Sequence, residues 1–134
     1  MKKLYIDGGC SNNGQKDISI RKMISVVTDD GGTVLTDIEG FGGSNNIAEL
    51  IALREAIIWA IKNKLDEVQI ISDSKNTLAW YRNGVKNKKI NDYQRTVAIL
   101  EEIKTLRKLI KIDLRWLPRE DNLAGHYIEN CYNL

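Results

Sequence analysis

An α/β domain, one mixed sheet with helices on its faces, is the fold class that the apolar patterning of this chain predicts. Three observations lead to it. Two β-rich runs flank a "DDGG" turn early in the chain, a long apolar stripe at helical spacing starts near Asn45, and two later strand-like runs alternate with helices. The element order is βββαβααβα, and 134 residues without a linker or internal repeat fit a single domain over 1–134.

Taken in order, "KLYIDGG" reads as a strand ended by its glycines, with "CSNNGQKD" as a polar loop after it. "RKMISVVTDDGGTVLTDIEGFGG" reads as a hairpin, so three antiparallel strands open the domain. "NNIAELIALREAIIWAIKN" carries a wide apolar stripe for about five turns, with Asn45 or Asn46 placed to cap it. "EVQIISD" is a continuous apolar strand of the kind covered on both faces. "SKNTLAWYRNG" is a short helix stopped at Gly84. Tyr93, Val97, Leu100, Ile103, Leu106 and Ile110 then recur at helical spacing. "KIDLRWL" alternates as a strand before Pro118, and a short helix covers roughly Asp121 to Tyr132. Trp59, Trp80 and Trp116 sit at periodic apolar positions, which assigns all three to core packing.

Composition narrows the class. Hydrophobic residues at 43% and charged residues at 28%, with one proline and ten glycines, describe a soluble globular chain and exclude low complexity. No apolar run reaches signal-peptide or membrane-span length, so a cytoplasmic protein away from the membrane is expected. Cys10 and Cys131 are then expected as free thiols. A net charge of +2 does not itself declare a polyanion partner. Its distribution is more suggestive: Lys75 to Arg115 holds eleven Lys and Arg against four acids, which fits either one positive face or an ordinary solvated helix surface.

Three carboxylates carry the chemistry. Asp7, in "YIDGG", lies toward the carboxyl end of the first strand, and Asp73, in "IISDS", ends the fourth. As parallel neighbours those strands would deliver both groups to the same sheet edge, where open α/β sheets place ligands. Glu49 shares a helix face with Leu53, Ala56, Ile57 and Ala60, the face that should pack on the sheet. Converging inward carboxylates repel one another and are costly to bury, and divalent Mg²⁺ or Mn²⁺ would neutralise them. Taken singly, each has a plainer reading: Asp73 as a helix N-cap, Glu49 at the positive end of its helix and Asp7 in a turn.

"YIDGGCSNNG", "SNNIAELIALREAI", "IISDSKNTLAW" and "WLPREDNLAG" resemble the four signature blocks of type 1 ribonuclease H, in matching order over nearly the whole chain. The resemblance implies a ribonuclease H-like fold: a five-stranded mixed sheet in the order 3-2-1-4-5 with strand 2 antiparallel. It implies a metal-dependent endoribonuclease that hydrolyses the RNA strand of RNA–DNA hybrids, using two Mg²⁺ or Mn²⁺ ions with substrate bound; a monomer is the separate expectation for a single domain of this size. Asp7, Glu49 and Asp73 correspond to the first three metal-binding, catalytic carboxylates. Gly8, Gly9, Cys10, Ser11, Asn12 and Asn13 match the positions that read RNA 2′-hydroxyls. Asn45 and Asn46 match paired asparagines that contact nucleic acid, Ser44 matches a phosphate contact, and Arg82, Lys86, Lys88 and Lys89 fall where the hybrid backbone is gripped.

The family's fourth carboxylate would fall at position 126, and this chain has its only histidine there, His126. Helical spacing sets His126 on a polar face with Asn122, Glu129 and Asn130, toward the cleft. Four readings stay open. His126 is a catalytic-site metal ligand with altered metal preference, a proton shuttle or phosphate contact, the mark of a weakened domain that binds nucleic acid without cutting it, or a surface histidine without a role. Asp121 and Glu129 are candidates to replace the missing carboxylate in part. A more distant alternative is a DNA-cutting nuclease of the wider superfamily, which the "NNIAEL" block disfavours.

Overall fold

The computed structural model describes residues 1–11 and 16–132. Its sheet begins with β1 (Lys2–Ser11), β2 (Lys22–Asp29) and β3 (Val34–Phe41). β1 does not stop at its glycines, because β2 pairs antiparallel with it from Leu4 opposite Asp29 to Ser11 opposite Lys22. Cys10 and Ser11, expected in a loop, are therefore strand residues. The β2–β3 turn is held by the Asp29 carboxylate, which accepts from the Gly31 and Thr33 amides at 2.9 Å each, while Gly32 takes the positive φ of 81° that the reversal requires.

Helix α1 (Asn45–Lys62) follows, then β4 (Glu67–Ser72), α2 (Lys75–Asn83), α3 (Tyr93–Leu106), β5 (Lys111–Trp116) and α4 (Leu123–Cys131). β4 pairs parallel with β1, and β5 parallel with β4. The sheet order is β3-β2-β1-β4-β5 with β2 antiparallel, as the resemblance implied. Ser44, rather than either asparagine, caps α1, its hydroxyl accepting from the Ile47 amide at 3.3 Å. An oxygen three residues back from an unpaired helical N–H is all that capping requires, and Asn45 and Asn46 are already inside the helix.

Two cores flank the sheet. On one face Leu4, Ile6, Val27 and Ile70 meet Leu50, Leu53 and Ile57 of α1, with α3 closing behind through Ile99 and Ile103. Each such side chain stabilises the fold by roughly 1.5–3 kcal/mol. The buried stripe of α3 is Thr96, Ile99 and Ile103. Of the expected stripe, Ile103 and Ile110 are buried and Leu100 and Leu106 pack against the core, while Thr96 and Ile99 are buried in addition. On the other face Tyr5, Ile24, Val26 and Ile71 receive Ala124 and Ile128 of α4. Trp59 and Trp80 pack partly buried against the first core, but Trp116 is 41% exposed. It stands at the end of β5, where its indole N–H donates to the Asp73 carbonyl at 3.0 Å and the Lys75 ammonium lies over its ring.

A clasp fixes the far end of α4. The Tyr127 and Tyr132 hydroxyls donate to the Asp37 carboxylate of β3 at 2.7 and 2.9 Å. Asp37→Ala is expected to lower Tm by a few degrees and to raise hydrogen exchange at the end of α4 while leaving α1 protected; equal exchange in both helices would show that the clasp holds nothing. Cys10 is buried and Cys131 exposed, both as free thiols. Among the described residues no helix is long and apolar enough to cross a membrane.

Candidate active site and metal centre

The parallel pairing of β1 with β4 ends with Tyr5 beside Ile71. Each chain then runs on two residues, to Asp7 and to Asp73, so the two carboxylates emerge side by side at the carboxyl edge of the sheet. Glu49 reaches them because α1 crosses directly over Gly8. A Cβ at Gly8 would lie 2.7 Å from the Ala48 carbonyl oxygen and nearer still to Ala48 C and Glu49 N. The Ser25 hydroxyl ties the same carbonyl to β2 at 2.7 Å. One ligand oxygen from each of Asp7, Glu49 and Asp73 lies within 4.8 Å of the others.

The plainer readings of these residues do not describe what is found. Ser74, not Asp73, caps α2, its hydroxyl accepting from the Thr77 amide. Glu49 is the fifth residue of α1, beyond the first-turn amides, and Asp7 lies inside a strand. Asp7 is 1% exposed and Glu49 7%, and among the described residues Asp7 Oδ1, Asp7 Oδ2 and Glu49 Oε2 have no hydrogen-bond partner. Burial first, and then the charge of Asp73, push the Asp7 carboxyl up to about 6. Burial, followed by the charge of Asp7, holds Glu49 well above the usual carboxylate range. Buried oxygens with free lone pairs and a surplus of negative charge are the donor set a hard divalent cation takes, so these three residues fit such an ion.

Two residues that sequence reasoning did not single out complete the cluster. The Arg119 guanidinium stands 3.5 Å from Asp7 Oδ2 and 3.6 Å from Asp73 Oδ2, and its Nε donates to Glu129 at 2.8 Å. Glu129 is thereby committed to Arg119 and, like the exposed Asp121, is outside the carboxylate group. Asn122 is fully buried, and its amide group bonds to the Ile6 carbonyl, to Asp73 and to the first turn of α4. Both residues lie in the "PREDN" stretch, but nothing in linear spacing says that the short helical turn Arg119–Asp121 folds back on β1.

His126 is half-buried on α4 and does not join the group of mutually close ligand atoms. Gly125 is the α4 residue set against Asp7: a Cβ there would lie 3.3 Å from Asp7 Oδ2. Position 126 is a further 100° round the helix. The remaining expected contacts fall on two grooves. Gly8, Gly9 and Cys10 line a cleft of about 540 Å³ together with Asp7, Asn45, Glu49 and Arg119. Ser44, Asn45, Asn46 and Lys89 line one of about 730 Å³ with Arg21, Asn76 and Trp80. Asn45 belongs to both. Ser11 is at the end of β1, while Arg82, Lys86 and Lys88 are exposed around the α2–α3 connection without lining the larger groove. Asn12 and Asn13 lie outside the described residues.

The fold is shared with solved structures. The N-terminal RNase H domain of rv2228c from Mycobacterium tuberculosis, solved as a maltose-binding-protein fusion, is 22% identical with a TM-score of 0.73, covering 98% of each chain. RNase H1 from Halobacterium salinarum NRC-1 is 17% identical with a TM-score of 0.64, covering 97% of this chain and 98% of its own. LC11-RNase H1, solved in complex with an RNA/DNA hybrid, is 22% identical with a TM-score of 0.62, covering 91% and 88%. No curated protein matches the chain. The family model for RNase H matches residues 1–128, the span that holds all five strands, Asp7, Glu49 and Asp73, and with this match over nearly its whole length the chain belongs to the RNase H family.

Proposed function

We propose that this chain is a metal-dependent endoribonuclease that cuts the RNA strand of RNA–DNA hybrids, and that Asp7, Glu49 and Asp73 are its catalytic ligands. The observation that carries the reading is the trio of mutually close carboxylates, two of them buried with oxygens that accept no hydrogen bond among the described residues. Two bound Mg²⁺ or Mn²⁺ ions would supply water activation on one side of the scissile phosphate and charge stabilisation at the leaving 3′ oxygen on the other.

The chain's own residues do the rest. Gly8 and Gly9 line the cleft beside Asp7 and Glu49, where the β1 backbone would meet an RNA ribose whose 2′-hydroxyl distinguishes RNA from DNA. Ser44, Asn45, Asn46 and Lys89 offer short polar groups and one ammonium to backbone phosphates in the larger groove, with Lys86 and Lys88 adding charge beside it. Arg119 screens Asp7 and Asp73 from each other. The hybrid bound to the structurally similar LC11-RNase H1 supports the substrate class.

A second reading, a hybrid-binding domain that does not cut, is favoured by one observation: the position expected to hold the fourth carboxylate is a histidine outside the ligand group. One experiment separates them. A labelled hybrid is incubated with wild type, Asp73→Asn and His126→Asp, each with Mg²⁺, Mn²⁺ or EDTA. Metal-dependent cutting by the wild type that Asp73→Asn loses by about 10³-fold is the expected result. His126→Asp decides the role of position 126: a gain with Mg²⁺ relative to Mn²⁺ would make it a ligand once metal is bound, since carboxylate suits Mg²⁺ better than imidazole, and unchanged activity would leave it outside the centre. Wild-type silence with both metals, alongside retained salt-dependent hybrid binding, would establish the second reading.

A further inference from the structure

We propose that Asn122 is a positioning residue: its side-chain amide sets the Asp73 carboxylate against Asp7 and so builds the geometry of the metal centre. The inference rests on the nuclease reading for its catalytic consequence, but its structural content is independent of it.

Every part of the Asn122 amide is used. Nδ2 donates to the Ile6 carbonyl at 2.9 Å and to Asp73 Oδ2 at 3.2 Å. Oδ1 accepts from the Ala124 and Gly125 amides at 3.1 and 3.4 Å, capping α4. An NH₂ group has two protons, and here one goes to the peptide next to Asp7 and the other to the Asp73 carboxylate. One planar group therefore fixes Asp73 relative to the strand that carries Asp7. The residue is fully buried, which shields its bond to Ile6, while the bond to Asp73 is partly buried.

An ordinary N-cap explains only half of this arrangement. Capping needs Oδ1 alone, and serine would supply it. It does not need a donor aimed at two other elements. Asp73 has few other restraints on its side chain: the Trp116 indole holds only its backbone carbonyl, and Arg119 stands 3.6 Å from Oδ2 on a half-exposed arm. Without Nδ2 the carboxylate would be free to swing toward Arg119 or solvent.

Asn122→Ser is the test, because it keeps an N-cap oxygen and removes the reach to Asp73. In the absence of substrate, Mn²⁺ binding followed by the signal of free Mn²⁺ in electron paramagnetic resonance is expected to weaken about tenfold. At saturating Mn²⁺, kcat on hybrid is expected to fall 10–100-fold with KM within about twofold. Wild-type Mn²⁺ binding, or a loss confined to KM, would overturn the proposal. If the wild type itself does not cut, the nuclease reading fails while the Mn²⁺ arm still decides the role of Asn122. Should Asn122→Ser not fold, the side-chain amide resonances of Asn122 are followed in the wild type and in Asp73→Asn. They are expected to shift when Asp73 changes and on adding Mg²⁺ to the wild type; resonances that stay fixed in both cases would overturn it.

Discussion

Asp7→Asn is expected to cost about 10³-fold or more in hybrid cleavage and at the same time to stabilise the metal-free protein by about 1–3 kcal/mol at pH 7. Both effects have one cause. Asp7 is buried beside Asp73 and Glu49, and its carboxyl is pushed from 3.8 up to about 6. A raised acid is favoured in the folded state while protonated. Its stabilising contribution is complete below about pH 4 and is lost as pH rises through about 6. At neutral pH the ionised group works against folding, offset in part by Arg119, and asparagine removes that opposition. Urea unfolding of both proteins in EDTA from pH 4 to pH 7 should show the variant's advantage growing with pH. Adding Mn²⁺ should stabilise the wild type more than the variant, since an ion bound only by the folded state pulls the equilibrium toward it. A variant less stable than wild type at pH 7, or one that still cuts, would remove Asp7 from the metal centre.

Gly8→Ala is expected to destabilise the fold by about 3 kcal/mol or more, enough to leave much of the protein unfolded at moderate temperature. The atoms an added methyl would strike are the backbone of Ala48 and Glu49, which cannot rotate aside as a side chain would. Relief requires α1 to lift from the sheet, and that movement would also carry Glu49 away from Asp7. Gly40→Ala is the control. Its methyl would meet only the tip of Met23, at 3.6 Å, an ordinary contact. Thermal unfolding of the two variants should differ by many degrees, and equal Tm values would mean that the crossing of α1 over β1 is looser than described.

The strand and helix order was legible because hydrophobic period and turn chemistry are local properties: "DDGG" reverses a hairpin wherever it stands, and Gly84 stops α2 with its φ of 73°. The three carboxylates were legible because an acid next to a continuous apolar strand, or on the packed face of a helix, has no ordinary reason to be there. What escaped was set by long-range geometry. That Cys10 continues β1 depends on β2 as a partner, not on its own neighbours in sequence. That Trp116 is exposed depends on its standing at the last position of the edge strand β5. The expectation that His126 faces the cleft came from its match to the family's fourth carboxylate and from the polar face it shares with Asn122, Glu129 and Asn130. The closer approach of Gly125 to Asp7 depends on the rotation of α4 about its own axis, which a nine-residue helix can adjust without changing its apolar pattern.

The bond from Asn122 to the Ile6 carbonyl joins residues 116 positions apart, and it has a consequence for how the protein is made. Chains are synthesised from the N-terminus at roughly 5–20 residues per second, and early elements can fold while later ones are still absent. Here Asp7 of β1, Glu49 of α1 and Asp73, the residue after β4, all precede residue 122 by 49 positions or more in the order of synthesis. Until α4 arrives, Asp73 lacks its fastening, and the sheet face of Tyr5, Ile24, Val26 and Ile71 stays uncovered. The nascent chain therefore passes through a stage with its acidic residues translated but its centre unbuilt, offering a holdase chaperone an apolar surface. On the proposed reading, the arrangement of Asp73 against Asp7 is complete only once α4 has been translated.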